Sequence, residues 1–228
     1  MGKIKTFFRH NYWKFSVILV IFIGIFAFHS LNTKADMMYH LITDNNGITW
    51  QYGYNPSNRE LEVSFFESRN SISQIVIPKA SFFTSNTVNT YTFTNYTDHN
   101  LGTPRTFNST ITKIDLSNVN VVNGIHPLSD NTTNTMNIIL NPTSSKIGYD
   151  VFRDKRIDIT NLDKVTDISG GAFYNTTFSN TNIKLPKLNN LGDGSFEQSN
   201  ISSLEINSYV IGVSAFKNCK NLGTTLIT

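Results

Sequence analysis

The stretch "IGVSAFKNCKNL", residues 211–222, contains the repeated pattern that decides the fold. Two earlier stretches share its first half: "ISGGAF" ends at Phe173 and "LGDGSF" ends at Phe196, so the steps to Phe216 are 23 and 20 residues. Each copy has an aliphatic residue five positions before the phenylalanine, a small residue directly before it, and glycine to ease the turn. The pattern predicts a repeated turn with its phenylalanine in the core. A small side chain occupies the next corner of each copy: Thr176, Ser199 and Cys219.

Short strand-like segments recur with the same spacing. Each has two apolar residues separated by one position, which is the period of a strand with one buried face. The steps between the first members of these pairs are 39, 24, 19, 26 and 21 residues, and the last four centre on the length of one solenoid coil. One such strand cannot bury its pair alone, so residues 71–228 are predicted to stack as coils around a continuous core. The pairs are Ile75/Ile77, Ile114/Leu116, Ile138/Leu140, Ile157/Ile159, Ile183/Leu185 and Leu204/Ile206.

The residues that alternate with these pairs are expected to share the outward face of the stacked strands, where they contribute to an extended surface. Their identity does not specify a partner, and no ligand-binding residue is assigned from the sequence. These outward residues include Asp115, Asp158, Lys184 and Glu205.

Two segments depart from the repeat. Residues 36–70 contain "ITWQYGY" and "LEVSFF" around the turn sequence "NPSNRE", and predict an N-terminal β-hairpin cap that buries Trp50, Val63 and Phe65. An aromatic binding face on this hairpin is the alternative. Residues 80–110 are rich in Thr, Asn and Ser and predict an insertion or irregular coil, in which "TVNTYTF" forms an edge strand.

The N-terminal 35 residues predict an export signal. The basic start "MGKIKTFFRHNYWK" precedes the apolar run Phe15–Phe28, and the small-residue exit allows cleavage after Ala35. The alternative is an uncleaved anchor that spans the membrane through residues 15–33. In both cases the positive flank stays inside, so the rest of the chain lies outside the cytoplasm, secreted or held at the cell surface.

Charge and cysteine content exclude several classes of protein. The formal net charge is +3, but the leader carries five basic residues and no acid, which leaves 14 basic against 16 acidic residues. Without a basic patch the remainder is not expected to bind nucleic acid. One cysteine excludes an intramolecular disulfide framework. The corner position of Cys219 favours a buried, inert thiol, with a reactive or intermolecular cysteine as the alternative.

The stretch "IGVSAFKNCKNL" resembles the repeat unit of the BspA-like leucine-rich repeat family, which runs roughly I-G-x-x-A-F-x-x-C-x-x-L before an I-x-I-P-type strand. "QIVIPK" at 74–79 and "IKLPKL" at 183–188 are similar to that strand. The resemblance is close over residues 166–222 and looser over residues 71–165. It implies a β-rich, right-handed solenoid at the bacterial surface, where such proteins bind host or matrix components or other cells.

The sequence shows no motif that indicates an enzyme or a metal site. His40, His99 and His126 are far apart and lack metal-ligand spacing. Asp158, Asp163 and Asp167 do not match a calcium loop. We therefore assign no catalytic, cofactor-binding or metal-binding residue and expect no cofactor.

The sequence thus predicts a non-catalytic, extracytoplasmic surface protein whose solenoid binds a host, matrix or cell-surface protein or glycan. The alternatives are a structural or membrane-tethered spacer without its own ligand, and a secreted hydrolase with a site built from loops. The final "GTTLIT" has no recognisable capping unit, which favours a truncated C-terminus.

Overall fold

The structure is a computed structural model that describes residues 37–68, 72–94, 111–123, 134–208 and 210–227. The chain divides into two compact units, Met1–Met37 and Met38–Thr228, and the fold described below is that of the second unit. The predicted leader and the cleavage position Ala35 lie outside the described residues. Within the described ranges, no helix has the length and apolar character needed to cross a membrane.

The second unit is built almost entirely from short strands. In addition to the strands, 3-10 turns occur at Ala80–Phe82 and Leu162–Lys164. In chain order the strands are β1 Tyr39–Thr43, β2 Ile48–Asn55, β3 Glu60–Ser68, β4 Gln74–Val76, β5 Thr90–Thr94, β6 Lys113–Asp115, β7 Val121–Asn123, β8 Met136–Ile139, β9 Ser145–Ile147, β10 Arg156–Thr160, β11 Val165–Ile168, β12 Thr177–Phe178, β13 Asn182–Leu185, β14 Asn190–Leu191, β15 Ser203–Ile206, β16 Val210–Ile211 and β17 Thr224–Ile227.

These strands form three sheets in the described part of the chain. A nine-stranded sheet has the order β1-β2-β3-β5-β7-β9-β11-β14-β16. A five-stranded sheet has the order β12-β10-β8-β6-β4, and a three-stranded sheet has the order β13-β15-β17. From β3 onward every pairing is parallel, and successive coils contribute successive strands. The molecule is therefore a β-rich repeat of stacked coils, as the strand periodicity predicts.

The predicted apolar pairs form the core between the sheets. Eleven of the twelve predicted residues are buried, including Ile114, Leu140 and Ile206, each fully inaccessible to solvent. The exception is Ile159 on β10, which is half-buried. No strand of the next coil pairs beside it, because β13 belongs to a different sheet.

The N-terminal hairpin forms as predicted. Strands β2 and β3 pair antiparallel with Trp50 opposite Phe65, and the two rings meet edge to face with centroids 6.4 Å apart. Trp50, Val63 and Phe65 are all buried, so these three side chains belong to the core. A further strand, β1, pairs antiparallel with β2 and was not predicted from the sequence.

The segment "TVNTYTF" is not an edge strand, so that prediction is wrong. Strand β5 lies between β3 and β7 and pairs parallel with both. Tyr91 and Phe93 are buried, and the Tyr91 hydroxyl donates to the Pro78 carbonyl oxygen at 2.8 Å. Residues 80–94 of the predicted insertion thus form a 3-10 turn and a strand within the stack, because their alternating aromatic residues supply core surface. Residues 95–110 lie outside the described residues.

A column of phenylalanines runs along the stack and contains one member that the sequence pattern missed. Phe152, Phe173 and Phe196 stack successively with ring centroids 5.4 and 5.0 Å apart, and Phe216 follows at 6.2 Å. A backbone hydrogen bond repeats along the column. The N–H of Phe152, Phe173 and Phe196 donates, in each case, to the carbonyl oxygen of the residue directly before the next phenylalanine of the column. The sequence "IGYDVF", ending at Phe152, is therefore another copy of the turn.

Glycine at the second position of the turn allows adjacent coils to approach closely. A Cβ built on Gly192 would lie 2.4 Å from the Gly170 nitrogen, and one built on Gly212 would lie 2.4 Å from the Gly192 carbonyl carbon. Real Cβ atoms do not approach backbone atoms this closely, so a side chain here would push the coils apart.

Candidate binding groove

The five-stranded and three-stranded sheets do not join, and this break forms the candidate site. Strand β10 pairs with β8 from Ile157 to Thr160, but on its other side only Arg156 and Ile157 pair, with β12. Strand β13 pairs with β15 and is the end strand of its sheet. Meanwhile the nine-stranded sheet passes continuously from β11 to β14. One side of the stack is thus interrupted while the other is unbroken.

The break follows from the length of one coil. Phe178 and Ile201 both lie five residues after a column phenylalanine, and Asn200 connects their coils by accepting from the Phe178 N–H at 2.7 Å and donating to its carbonyl at 3.0 Å. The first buried residue of the next strand, Ile183, comes five positions after Phe178. In the following coil the first buried residue of the strand, Leu204, comes only three positions after Ile201. Two extra residues therefore separate β12 from β13, and β13 starts too late to continue the ladder of β10.

The break leaves two strand edges with backbone groups directed into it. The carbonyls of Thr181, directly before β13, and of Leu185, at its end, accept hydrogen bonds from the β15 coil at 2.9 and 3.4 Å. Since successive residues of a strand point their backbone groups to opposite sides, those of Lys184 face the break. In β10, the Thr160 carbonyl accepts from Leu140 on the β8 side, so the backbone of Ile159 also faces the break. No backbone hydrogen bond joins Ile159 or Lys184 to a strand across the break within the described residues.

A groove of about 380 Å³ lies at the break. Apolar side chains line its interior: Ile159 is half-buried, while Ile183 and Phe178 are nearly inaccessible to solvent. Polar residues on its walls include Asn180 and Asp163. The 3-10 turn Leu162–Lys164 lies against β13 and contributes Leu162 and Asp163 to the lining, so the groove combines an apolar floor with a wall that closes its β13 end.

The charges around the groove are largely paired within the chain. Lys184 Nζ lies 2.9 Å from Glu205 Oε2 on β15, and this hydrogen bond and the carboxylate charge raise the pKa of the Lys184 ammonium group. Asp163 forms an ion pair with its neighbour Lys164. Asp158 is exposed on the outward face of β10. No single sign of charge dominates the groove.

A second concavity, of about 570 Å³, lies along the corners of the stack and is polar. It follows a column of residues in the left-handed conformation, Asn175, Gln198 and Asn218, with φ angles of 50°, 62° and 60°. Asn tolerates this conformation better than most residues, which accounts for its recurrence at these corners. The corner concavity is therefore explained by the turn itself.

Cys219 lies at the corner that the repeat predicts. Its Sγ donates to the carbonyl oxygen of Phe196 at 3.0 Å and lies 3.6 Å from Ser199 Oγ. The thiol is half-buried, and burial raises its pKa. A thiol with a raised pKa is a poor nucleophile at neutral pH because little thiolate is present.

The other residues considered for chemistry do not converge. His40 is exposed beside Tyr52, with ring centroids 5.5 Å apart, while His99 and His126 lie outside the described residues. Asp158, Asp163 and Asp167 lie on three different elements. Among the residues that the structure describes, no three His, Cys, Asp or Glu side chains group closely enough to hold a metal ion. Neither the groove nor its lining was predicted, although the 26-residue step from Ile157 to Ile183 marked the longer coil.

The repeated strands, the parallel sheets and the phenylalanine turns define a leucine-rich-repeat protein. The family profile described as "BspA type Leucine rich repeat region" matches residues 108–223 in six copies, which is about half of the 228-residue chain. The chain belongs to the BspA-type leucine-rich repeat family.

One solved structure compares with most of the chain. It is described as a leucine rich cell surface protein from Faecalibacterium prausnitzii and has 16% sequence identity and a TM-score of 0.35, over 84% of this chain and 55% of that one. The chain thus spans about half the length of that protein. No curated protein matches the chain.

Proposed function

We propose that the protein is a non-catalytic, extracytoplasmic surface protein whose solenoid binds a protein or glycan of a host, matrix or cell surface. Residues 1–35 would direct export or anchor the chain through residues 15–33. The coils from residue 71 onward would present the binding surface, and the hairpin region, residues 36–70, would cap them.

The groove between β10 and β13 is the observation that carries this proposal. Elsewhere the predicted apolar pairs are closed off by the next coil, but here Ile159 stays half-buried at the edge of a groove. Concave sites commonly bind ligands through apolar surface, because the complex removes that surface from water. The family membership supports a binding role for the repeat.

A binding screen tests the proposal. The immobilised full chain is exposed to a panel of matrix proteins, cell-surface glycoproteins and glycans, and binding is measured by interferometry. We expect at least one ligand to bind with a micromolar Kd or tighter, about −8 kcal/mol. Ile159→Asp should weaken that binding because it places a charge on the groove floor, whereas Asp115→Asn, on the distant strand β6, should not.

Two results would contradict the proposal. The first is a lack of binding to every member of the panel at micromolar concentration. The second is hydrolysis of a panel member that a single Ser, His or Asp substitution abolishes, which would assign the chain to the enzymes.

A further inference from the structure

We propose that the corner concavity binds a saccharide that carries one acidic group. This inference goes beyond the proposed function of the groove, because the two concavities share no lining residue. The turn accounts for the shape of the corner concavity, whereas the class of its ligand follows from the side chains that line it.

The side chains that line the corner concavity are polar. Besides Ser199 and Lys220, the lining consists of side-chain amides. An amide both donates and accepts hydrogen bonds, as a hydroxyl does, so a group of amides is suited to the neighbouring hydroxyls of a sugar. The volume of about 570 Å³ lies within the usual range of small-molecule sites. The amides are those of Asn175, Gln198, Asn200, Asn218 and Asn221.

Two of these amides are fixed by hydrogen bonds within the chain. Asn200 is held by the backbone of Phe178 on both sides of its amide, and Gln198 Nε2 donates to the Tyr174 hydroxyl at 2.6 Å. Tyr174 is packed in turn against Arg153, whose guanidinium carbon lies 4.0 Å from the ring centroid. Gln198 Oε1 accepts no hydrogen bond from the described residues, so this oriented acceptor is available to a ligand hydroxyl. Groups that are already oriented lower the entropic cost of binding.

The last coil contributes side chains that are free to bind. Asn218, Lys220 and Asn221 are exposed, and their side chains make no hydrogen bond or ion pair with the described residues. At the equivalent corner of an earlier coil, the Asn175 amide instead donates to Asp154 Oδ1 at 2.8 Å. The concavity thus combines fixed amides with unpaired amides and an unpaired ammonium group.

The charge of the lining specifies an acidic ligand. Among the described residues that line the concavity, Lys220 alone is charged, and the nearby Lys217 is already paired with Glu197 Oε1 at 3.3 Å. A carboxylate or sulfate on the ligand would supply a partner to Lys220 through a charge-assisted hydrogen bond. A nucleic acid would require several cations and a protein partner would require apolar surface, and this lining offers neither. An acidic saccharide therefore fits the lining best.

Matched pairs of oligosaccharides are the probes for this proposal. Tetrasaccharides of galacturonic, glucuronic and sialic acid are immobilised beside their methyl esters, which keep every hydroxyl and mask every carboxylate. A sulfated galactose tetrasaccharide and its unsulfated form make a further pair, which separates sulfate from carboxylate recognition. Binding of the full chain is measured by interferometry. We expect at least one acidic form to bind about three- to tenfold more tightly than its neutral form, with a preference that declines as salt is added.

Variants of the chain assign the binding to the corner concavity. Lys220→Gln removes the charge and should abolish the preference for the acidic form. Lys187→Gln removes an exposed charge that does not line the concavity, so this matched control should bind as the wild type does. Asn218→Gly removes an amide and keeps the left-handed backbone, which glycine adopts without strain. It should weaken binding of the acidic and neutral forms alike, by about three- to tenfold.

Three results would overturn the inference. The first is a lack of binding by every oligosaccharide, and the second is equal binding of each acidic form and its neutral partner. The third is an unchanged preference in Lys220→Gln, which tests the proposal whether or not Asn218→Gly folds because Lys220 is exposed.

Ile159→Asp distinguishes this site from the groove. The variant should leave saccharide binding unchanged, since Ile159 lines the groove and not the corner concavity. Loss of saccharide binding in Ile159→Asp would assign the saccharide to the groove and overturn the corner site. Failure of the saccharide to bind would leave the panel screen of the groove unaffected, so the two proposals can fail separately.

Discussion

Cys219 Sγ donates to the carbonyl oxygen of Phe196, and Thr176 Oγ1 makes the same hydrogen bond to Phe152, at 2.6 Å. In both cases the corner side chain of one coil donates to the column phenylalanine of the coil before it. At these two corners sulfur and oxygen serve equally as the donor, whereas the hydroxyl of Ser199, at the corner between them, lies against Cys219 Sγ instead. This equivalence makes the cysteine part of the repeat geometry.

Replacing Cys219 by serine should preserve the fold. Serine keeps the donor to the Phe196 carbonyl, so we expect the free energy of unfolding to change by less than about 1 kcal/mol, as measured by denaturant unfolding. Cys219→Ala, which removes the donor, is the matched control and should be the more destabilising of the two. In the wild type the raised pKa of the thiol should make its reaction with a disulfide reagent at pH 8 slower than that of an unfolded chain. Labelling at the unfolded rate would contradict this account.

Truncation of the phenylalanine column should have a large effect at its centre. Phe173 is fully buried and stacks on Phe152 and Phe196, so Phe173→Ala should cost about 3–5 kcal/mol in the free energy of unfolding. Phe216→Ala should cost less because Phe216 is only partly buried. Val213→Ala, at a residue that is 77% exposed, is the surface control and should stay within about 0.5 kcal/mol. Equal losses at Phe173 and Val213 would be incompatible with a stacked core.

Gly192→Ala should separate adjacent coils. The new Cβ would lie 2.4 Å from the Gly170 nitrogen and 2.6 Å from the Ser169 carbonyl carbon, and backbone atoms cannot move aside as a flexible side chain can. We expect a loss of about 1–3 kcal/mol in denaturant unfolding. Gly223→Ala is the matched control, since its Cβ would meet no atom within 4 Å. A wild-type free energy of unfolding for Gly192→Ala would argue against close stacking at this turn.

Asp167 should contribute stability that depends on pH. Partial burial disfavours its charged form, but hydrogen bonds from Asn190 and Thr166 and the charge of Lys146 outweigh this and hold the pKa below its usual value. A carboxyl with a lowered folded-state pKa stabilises the fold above its unfolded pKa of about 3.9, and this contribution is lost as the pH falls through the folded-state pKa.

The comparison of wild type with Asp167→Asn tests this assignment. The difference in their free energies of unfolding should be largest near neutral pH and should shrink below about pH 4. Asp158→Asn, on the exposed face of β10, serves as the control for a general change in charge. A difference between wild type and Asp167→Asn that persists unchanged at low pH would exclude an electrostatic origin.

The sequence predicts the repeat where the apolar strand pair and the phenylalanine turn occur together. It misses the repeat where the turn pattern is altered. The copy at "IGYDVF" was missed because Val151 stands in place of the small residue and Lys155 in place of the small corner side chain. Strand β1 was missed because most of its residues are exposed, so it has no alternating apolar signal. Its pairing with β2 is a tertiary effect that local periodicity does not contain.

The groove depends on relationships that a single strand does not reveal. The pair Ile157/Ile159 has the same pattern as its neighbours, so the sequence predicts both residues as buried. Only the stacking of β12 on the first residues of β10, followed by the late start of β13, leaves Ile159 uncovered. The 26-residue step from Ile157 to Ile183 shows that this coil is longer than its neighbours. It does not show on which side of the coil the extra residues lie.

The unbroken nine-stranded sheet gives the interrupted stack a mechanical asymmetry. A force that pulls the coils apart along the stack crosses the boundary between β10 and β13 through the β11–β14 pairing and the stacked rings of Phe173 and Phe196, while on the groove side only the short pairing of β10 with β12 resists it. The coils on either side would tilt open toward the groove and pivot about the continuous sheet. A ligand bound in the groove would contact residues of both coils, so ligand binding and resistance to tension would increase together.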